Sequence, residues 1–321
     1  MENAIPVLVL FGPTASGKTA LLEELFTGAG ARCRAEIISA DSMQVYRGMD
    51  IGTAKPEPAL RERLPHHLID IRNPDEQFNA GDFVRLADAA CEEITGRGAL
   101  PVIAGGTGFY LKNFIFGLPQ APPSNPAVRE SLKKELSQKG PAALLEELAR
   151  LDPVSAGRIH VNDAYRLLRA LEVCRAGGLP LSAFATGSIP RPAYRFAVAG
   201  IQRQREELYR LIDERCEEMF RRGLAGEVTR LFEQGYGPQA PGLRAIGYRE
   251  FFVPDGENGK AVLSKDTEGV KALVARNSRR YAKRQETFFS SMDAVLLPGQ
   301  DRQKTLDLLS SLIHTLVNHN P

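Results

Sequence analysis

Near the amino terminus, apolar residues fall in short continuous runs and not at helical spacing. Ile5–Phe11 is such a run, stops at Gly12, and reads as a buried strand. A glycine-rich turn and a helical pattern to about Phe26 follow. Residues 36–40 predict a second strand ending at Asp41, and residues 67–71 a third. Residues 80–97 have helical periodicity, and residues 100–104 form a fourth run that ends in glycines. Strands alternating with helices predict an α/β fold of the P-loop NTPase-like kind, a parallel sheet flanked by helices.

The pattern changes after Gly117. Residues 118–126 are rich in proline and form a stiff exit from the sheet. From 127 to about 184 the signals are helical, with breaks near Gly140-Pro141, Asp152-Pro153 and Gly177-Gly178. Asn162 or Asp163 caps the helix over 165–175. Residues 195–201 read as a strand again, so the chain returns to its first sheet. The expected organisation is a core over 1–118, a small all-helical insertion over 119–192, and a return to the core over 193–321 that ends in basic helices. In that last part, 206–222 is a helix, 294–297 a strand and 254–266 a loop.

Composition narrows the class. The 321 residues are 43 % hydrophobic and 25 % charged, ordinary values for a globular protein. No apolar run approaches the roughly 20 residues of a membrane span. The amino-terminal run lacks a preceding basic segment and opens a motif, so it reads as a strand and not as a secretory signal. Cys33, Cys91, Cys174 and Cys216 have no metal-ligand spacing, which predicts reduced thiols in a cytoplasmic protein and no structural zinc. A net charge of +2 says little, but residues 276–284 carry five bases and no acid. On a helix, Arg276, Arg279, Arg280 and Lys283 share a face, either simply solvated or facing a polyanion.

Gly12-Pro13-Thr14-Ala15-Ser16-Gly17-Lys18-Thr19 fits the phosphate-binding loop pattern between a strand and a helix. Successive amides and the helix amino terminus make a nest for phosphate oxygens. Lys18 adds a positive charge, and the Thr19 hydroxyl suits a magnesium ion bridging to the phosphates. No guanine-recognition or hydrolytic Asp-Glu segment accompanies the loop. The second strand ends instead in Asp41-Ser42-Met43-Gln44-Val45-Tyr46-Arg47-Gly48-Met49-Asp50-Ile51-Gly52-Thr53-Ala54-Lys55-Pro56. Carboxyl ends of parallel strands face the phosphate site. Asp41 is therefore either placed to act on an acceptor beside the phosphates or a turn cap. Gly105-Gly106-Thr107 after the fourth strand permits close backbone approach, and its hydroxyl can bond a phosphate or an amine.

Together these segments resemble the tRNA dimethylallyltransferase family, also called tRNA isopentenyltransferase, in its bacterial form. The resemblance covers nearly the whole chain: residues 12–19, 38–56, 65–75, 105–111, 124–129, 152–173, 243–250 and 275–287. The segment beginning at Asp41 is its most specific part. It implies dimethylallyl diphosphate as donor, Mg2+ as cofactor, and N6 of the adenosine at position 37 of a tRNA anticodon stem-loop as acceptor. It implies Asp41 as general base and Thr107 as the group that orients the amine. Lys18, the loop amides and Arg215 then stabilise the departing diphosphate. It further implies tRNA contacts from Asp41, Ser42, Met43, Gln44, Thr107, Arg129, Tyr165, Arg166, Leu167, Leu168, Arg169, Arg244, Ala245, Ile246, Gly247, Tyr248 and Arg249, and it turns the basic run, with Arg279 and Arg280, into a phosphate-backbone contact. Tyr165 and Tyr248 either stack on splayed bases or belong to the core. A monomer is expected. The rival readings are a small-molecule P-loop kinase, a prenyltransferase acting on free AMP, and a nucleotide-gated RNA-binding module.

Overall fold

The structure, a computed structural model, describes residues 4–28, 31, 33–184, 187–255 and 261–318. It divides into two compact units. One joins Met1–Ile115 to Arg191–Pro321, and the other is Phe116–Pro190, against the 119–192 expected for the insertion.

The first unit is built on a six-stranded sheet, entirely parallel, in the order β3-β2-β4-β1-β5-β8. Its strands are β1 (Ile5–Phe11), β2 (Ala35–Ser39), β3 (His66–His67), β4 (Leu100–Gly105), β5 (Tyr194–Gln202) and β8 (Val295–Pro298). The helices between them are α1 (Lys18–Phe26), α2 (Pro58–Arg63), α3 (Ala80–Gly96) and α4 (Gly108–Phe116), with α8 (Arg205–Arg221), α9 (Leu224–Glu233), α10 (Thr267–Phe289) and α11 (Arg302–Asn318) after β5. Because strand side chains alternate, Leu8 and Leu10 of β1 face Leu21, Leu22 and Leu25 of α1 and Leu309 and Ile313 of α11. On the other face, α3 packs against β1, β2 and β4, and buries Phe83, Val84, Ala87, Cys91 and Ile94. Asn79 and Asp82 close a reciprocal capping box at the start of α3.

Two expectations need correction. The strand read at 67–71 is limited to the pair His66–His67. Beyond it Leu68 and Asp70 have φ of 62° and 58°, incompatible with an extended ladder, and the Asp70 and Ile71 amides turn to the carbonyls of Gln44 and Val45. The loop read at 254–266 contains β7 (Ala261–Leu263), which pairs antiparallel with β6 (Phe252–Pro254). Residues 256–260 of that loop lie outside the described residues.

The long segment after β2 belongs to the core. Val45, Tyr46 and Met49 join Leu224, Val228 and Leu231 of α9 and Val270 and Val274 of α10 in a separate hydrophobic cluster. Glu227 of α9, buried, accepts from the backbone amides of Asp50, Ile51 and Gly52 at 2.9–3.2 Å and from the Tyr248 hydroxyl at 2.6 Å. A carboxylate with four donors is fully satisfied, so its burial is affordable and it fixes the loop's backbone.

The second unit contains α5 (Pro126–Leu151), α6 (Pro153–Ala156) and α7 (Ala164–Gly177). Gly140, at φ 77° and ψ 166°, breaks α5 ahead of Pro141. Asp163 caps α7 by accepting from the Arg166 amide. Leu132, Leu144 and Leu148 of α5 pack on Leu167, Leu168 and Leu171 of α7. Glu172, buried, accepts from Ser124, the Asn125 amide and Arg169. Burial pushes its carboxyl up, but these donors outweigh that and hold it below the usual carboxylate range.

Candidate active site

The phosphate loop runs from the end of β1 into α1. Gly17 has φ +95°, a conformation that favours glycine, and Ala15 is left-handed at φ 62°. Lys18 folds back beneath the loop, donating to the carbonyls of Gly12 at 2.8 Å and Pro13 at 2.9 Å. The residue is partly buried and its ammonium is desolvated. That desolvation and the nearby Arg215 guanidinium lower its pKa to about 7, against the opposing charge of Asp41. A second negative group at the loop would restore the proton.

Two cavities meet here. One, of about 400 Å³, is lined by the loop from Thr14 to Thr19 together with Ser39, Asp41, Gly105, Gly106, Arg215 and Tyr281. The other, of about 270 Å³, is lined by Ser42, Met43, Ile212, Arg244, Ala245, Ile246, Arg249 and Arg284. Thr14, Asp41, Arg215 and Tyr281 line both. Asp41 Oδ1 accepts from the amides of Met43 at 2.8 Å and Gln44 at 3.3 Å, which is the capping geometry. Oδ2 has no hydrogen bond among the described residues. Both readings of Asp41 are thus physically compatible: one oxygen holds the turn and the other is left for chemistry. Thr107 Oγ1 accepts from the Ser42 amide at 3.1 Å, so the turn after β4 lies against the turn after β2.

Arg215 of α8 makes no ion pair among the described residues, whereas its neighbours do: Arg210 with Glu214, Asp213 with Arg279, Glu217 with Lys271 and Arg221 with Glu218. Burial lowers its pKa, with the Asp41 charge opposing. An unpaired, desolvated guanidinium at the junction of two cavities suits an anionic partner.

The structure redistributes the residues expected to touch RNA. Tyr248 is 0 % exposed, with its hydroxyl on Glu227, so it is core and not a stacking platform. Tyr165 is 71 % exposed, with the Arg129 guanidinium 4.9 Å from its ring centre. Leu167 and Leu168 are interior to the helical unit, and Ala245 and Gly247 are buried. Arg129 and Arg169 pair with Glu172, so both charges are partnered within that unit. Arg166 remains exposed. Gln44 spends its carboxamide within its own loop, on Ser39 and on the carbonyls of Thr53 and Ala54. On α10, Arg279 pairs with Asp213, leaving Arg276, Arg280, Lys283 and Arg284 exposed.

Sequence reasoning missed Tyr281 and Gln285. Tyr281 lines both cavities, and burial and then the Asp41 charge push its phenol up to about 12. The available signal was their spacing of four on the helix side away from the basic run. No group of three or more His, Cys, Asp or Glu side chains that could hold a metal occurs among the described residues.

A parallel α/β sheet with a phosphate loop after its first strand, opening into a second cavity, defines a protein of the P-loop kind with a further cavity beside the loop. The sequence matches the profile of the IPP transferase family over residues 44–292, so the chain belongs to that family. It is 43 % identical over 296 residues to the tRNA dimethylallyltransferase of Geobacter sulfurreducens, covering 90 % of each chain. Among solved structures it is similar to a full-length tRNA isopentenylpyrophosphate transferase from Bacillus halodurans, at 33 % identity and a TM-score of 0.67 with 98 % of both chains covered. It is similar also to a tRNA isopentenylpyrophosphate transferase from Staphylococcus epidermidis, at 36 % identity and a TM-score of 0.65, covering 97 % of this chain and 99 % of that one.

Proposed function

We propose that the protein transfers the dimethylallyl group of dimethylallyl diphosphate to N6 of the adenosine at position 37 in the anticodon loop of tRNA, releasing diphosphate. The observation that carries the reading is the junction: Asp41 and Arg215 face both the phosphate-loop cavity and the cavity beside it. A donor held by its diphosphate on one side and an adenine entering from the other meet at these two side chains.

The lone pair of an adenine amine is delocalised into the ring, so attack on the allylic carbon needs a base. As the new nitrogen–carbon bond forms, the carbon–oxygen bond breaks with its electron pair going to the diphosphate, and the N6 proton passes to Asp41 Oδ2. Thr107, already fixed against the Ser42 amide, orients the amine. Lys18, Arg215 and the amides of the loop face the charge that develops on the leaving diphosphate.

Thr19 lines the phosphate cavity with Asp41, but among the described residues no protein cluster could hold a metal alone. That donor set fits Mg2+, which commonly takes one or two protein ligands and completes its shell with phosphate oxygens and water. When bound there, it would neutralise diphosphate charge.

The adenosine must leave its stack to reach Asp41. The exposed Arg276, Arg280 and Lys283 of α10 and, in the helical unit, Tyr165 and Arg166 supply charge and a stacking face for the stem-loop. A tRNA-directed reaction supports a cytoplasmic location. One copy carries every group named, so a monomer suffices, and no helix of the described residues is long and apolar enough to cross a membrane.

The test incubates purified protein, magnesium and labelled dimethylallyl diphosphate with unmodified tRNA, and in parallel with AMP. Label in tRNA and not in AMP is expected. Label in AMP moves the assignment to a free-nucleotide acceptor, and label in neither, with ATP turnover elsewhere, overturns it in favour of a kinase.

A further inference from the structure

The side of α10 opposite its basic residues carries a second device. Gln285 is 6 % exposed and uses both ends of its carboxamide. Oε1 accepts from the Thr14 amide at 2.9 Å, and Nε2 donates to the Gly106 carbonyl at 2.8 Å. A backbone amide can only donate and a carbonyl only accept, so chemistry fixes which end of the side chain faces which partner. Thr14 belongs to the phosphate loop. Gly106 immediately precedes Thr107.

The surroundings hold this clasp in place. A Cβ at residue 106 would stand 2.3 Å from Nε2, so the bare backbone of Gly106 leaves the room that Gln285 occupies. Tyr281, one turn earlier, lines the phosphate cavity together with Gln285. Phe289, one turn later, stacks on Phe11 at the end of β1, 4.5 Å between ring centres. The helix is thus seated on the strand that leads into the phosphate loop. Between these two contacts, one side chain bridges the loop that holds the diphosphate to the turn that presents the acceptor-orienting hydroxyl.

We infer that Gln285 is a positioning residue for prenyl transfer: it sets the separation between the phosphate loop and the Thr107 turn, and so between the allylic carbon and the attacking amine. The inference rests on the donor and acceptor assignment under Proposed function. Gln285 touches no reacting atom. Its effect comes through geometry, where a displacement of about 1 Å costs about a hundredfold in rate.

The experiment is a single-turnover measurement with enzyme in excess over labelled donor and tRNA. The variants are Gln285→Met, similar in length but without hydrogen bonds, and Gln285→Glu, which keeps an acceptor for Thr14 and loses the donor to Gly106. Both are expected to transfer with full amplitude and a rate constant about a hundredfold lower. Pyrophosphate and tRNA affinities, measured separately, are expected to stay within about threefold of wild type. A merely structural role behaves differently, because a partly misfolded population lowers the fraction of protein that binds tRNA in a stoichiometric titration and leaves the rate constant at saturating enzyme unchanged. That result overturns the inference, as do rate constants within about threefold of wild type in both variants. Should Gln285→Met fail to fold, Gln285→Glu is read by the same criteria. A wild-type protein that transfers no label to tRNA rejects the functional reading itself, whereas active wild type with unaffected variants rejects only the role of Gln285.

Discussion

The two cavities of the site are built in opposite ways. The phosphate cavity is organised around one consecutive stretch, Thr14 to Ala20, whose amides and single lysine act locally, with the ends of β2 and β4 and side chains of α8 and α10 closing it. The cavity beside it is assembled from the loop after β2, from α8, from residues 244–249 and from α10, which come together only in the folded chain. The first depends on backbone conformation and is hard to damage at a single side chain, Lys18 and Arg215 aside. The second depends on side chains held by remote partners, such as Glu227 beneath Asp50–Gly52. Binding of phosphate and recognition of the acceptor should therefore respond separately to substitution.

The sharpest division is expected at Asp41. Asp41→Ala should lower single-turnover transfer by about a thousandfold while tRNA and pyrophosphate affinities hold. A variant of near wild-type rate would remove Asp41 as the base. The phosphate side should show its own signature in pH. The free Lys18 ammonium has its pKa lowered to about 7, chiefly by burial, and bound diphosphate favours the charged form. Binding therefore takes up a proton above pH 7, and pyrophosphate affinity should fall with rising pH by up to about tenfold per unit. Calorimetry in buffers of different ionisation enthalpy measures that uptake, and none at pH 8 would contradict the lowered value.

Smaller effects belong to the surface of α10. Arg276→Ala with Arg280→Ala should weaken tRNA binding by about tenfold at low salt and reduce the salt slope by about two. Arg279→Ala should do less, since Arg279 already pairs with Asp213. Equal slopes across a salt series would reduce this face to solvated surface. The smallest functional effect is expected at Tyr248. Tyr248→Phe should cost about 1–3 kcal/mol of stability by stripping a donor from buried Glu227, with tRNA affinity unchanged. Unchanged stability with weaker tRNA binding would place the hydroxyl against RNA.

The same contrast governs what was legible in the sequence. The span Ile5–Phe11, the loop and the helix after it can be read from local pattern, because a buried strand, a nest and a helix amino terminus are properties of adjacent residues. The break at Gly140-Pro141 and the Asp163 cap are local as well. Residue type alone could not decide Tyr248, since a tyrosine beside arginines suits both a stacking face and a core, and the deciding partner is 21 residues earlier. Arg129 and Arg169 show a related ambiguity: an arginine that neutralises a buried Glu172 looks, in sequence, like one that awaits a phosphate. Gln285 was invisible because each of its partners lies at least 179 residues away.

That distance has a consequence for how the protein comes into being. Thr14 and Gln285 are separated by 271 positions, an interval that a ribosome working at about 5–20 residues per second needs roughly 15–55 s to traverse. Throughout that time the nascent chain owns a phosphate loop but not the side chain that ties it to the Thr107 turn. Glu227, which shapes the wall around Asp50–Gly52, is also still to come. Competence for transfer therefore arrives late in synthesis, when translation delivers the last wall of the site.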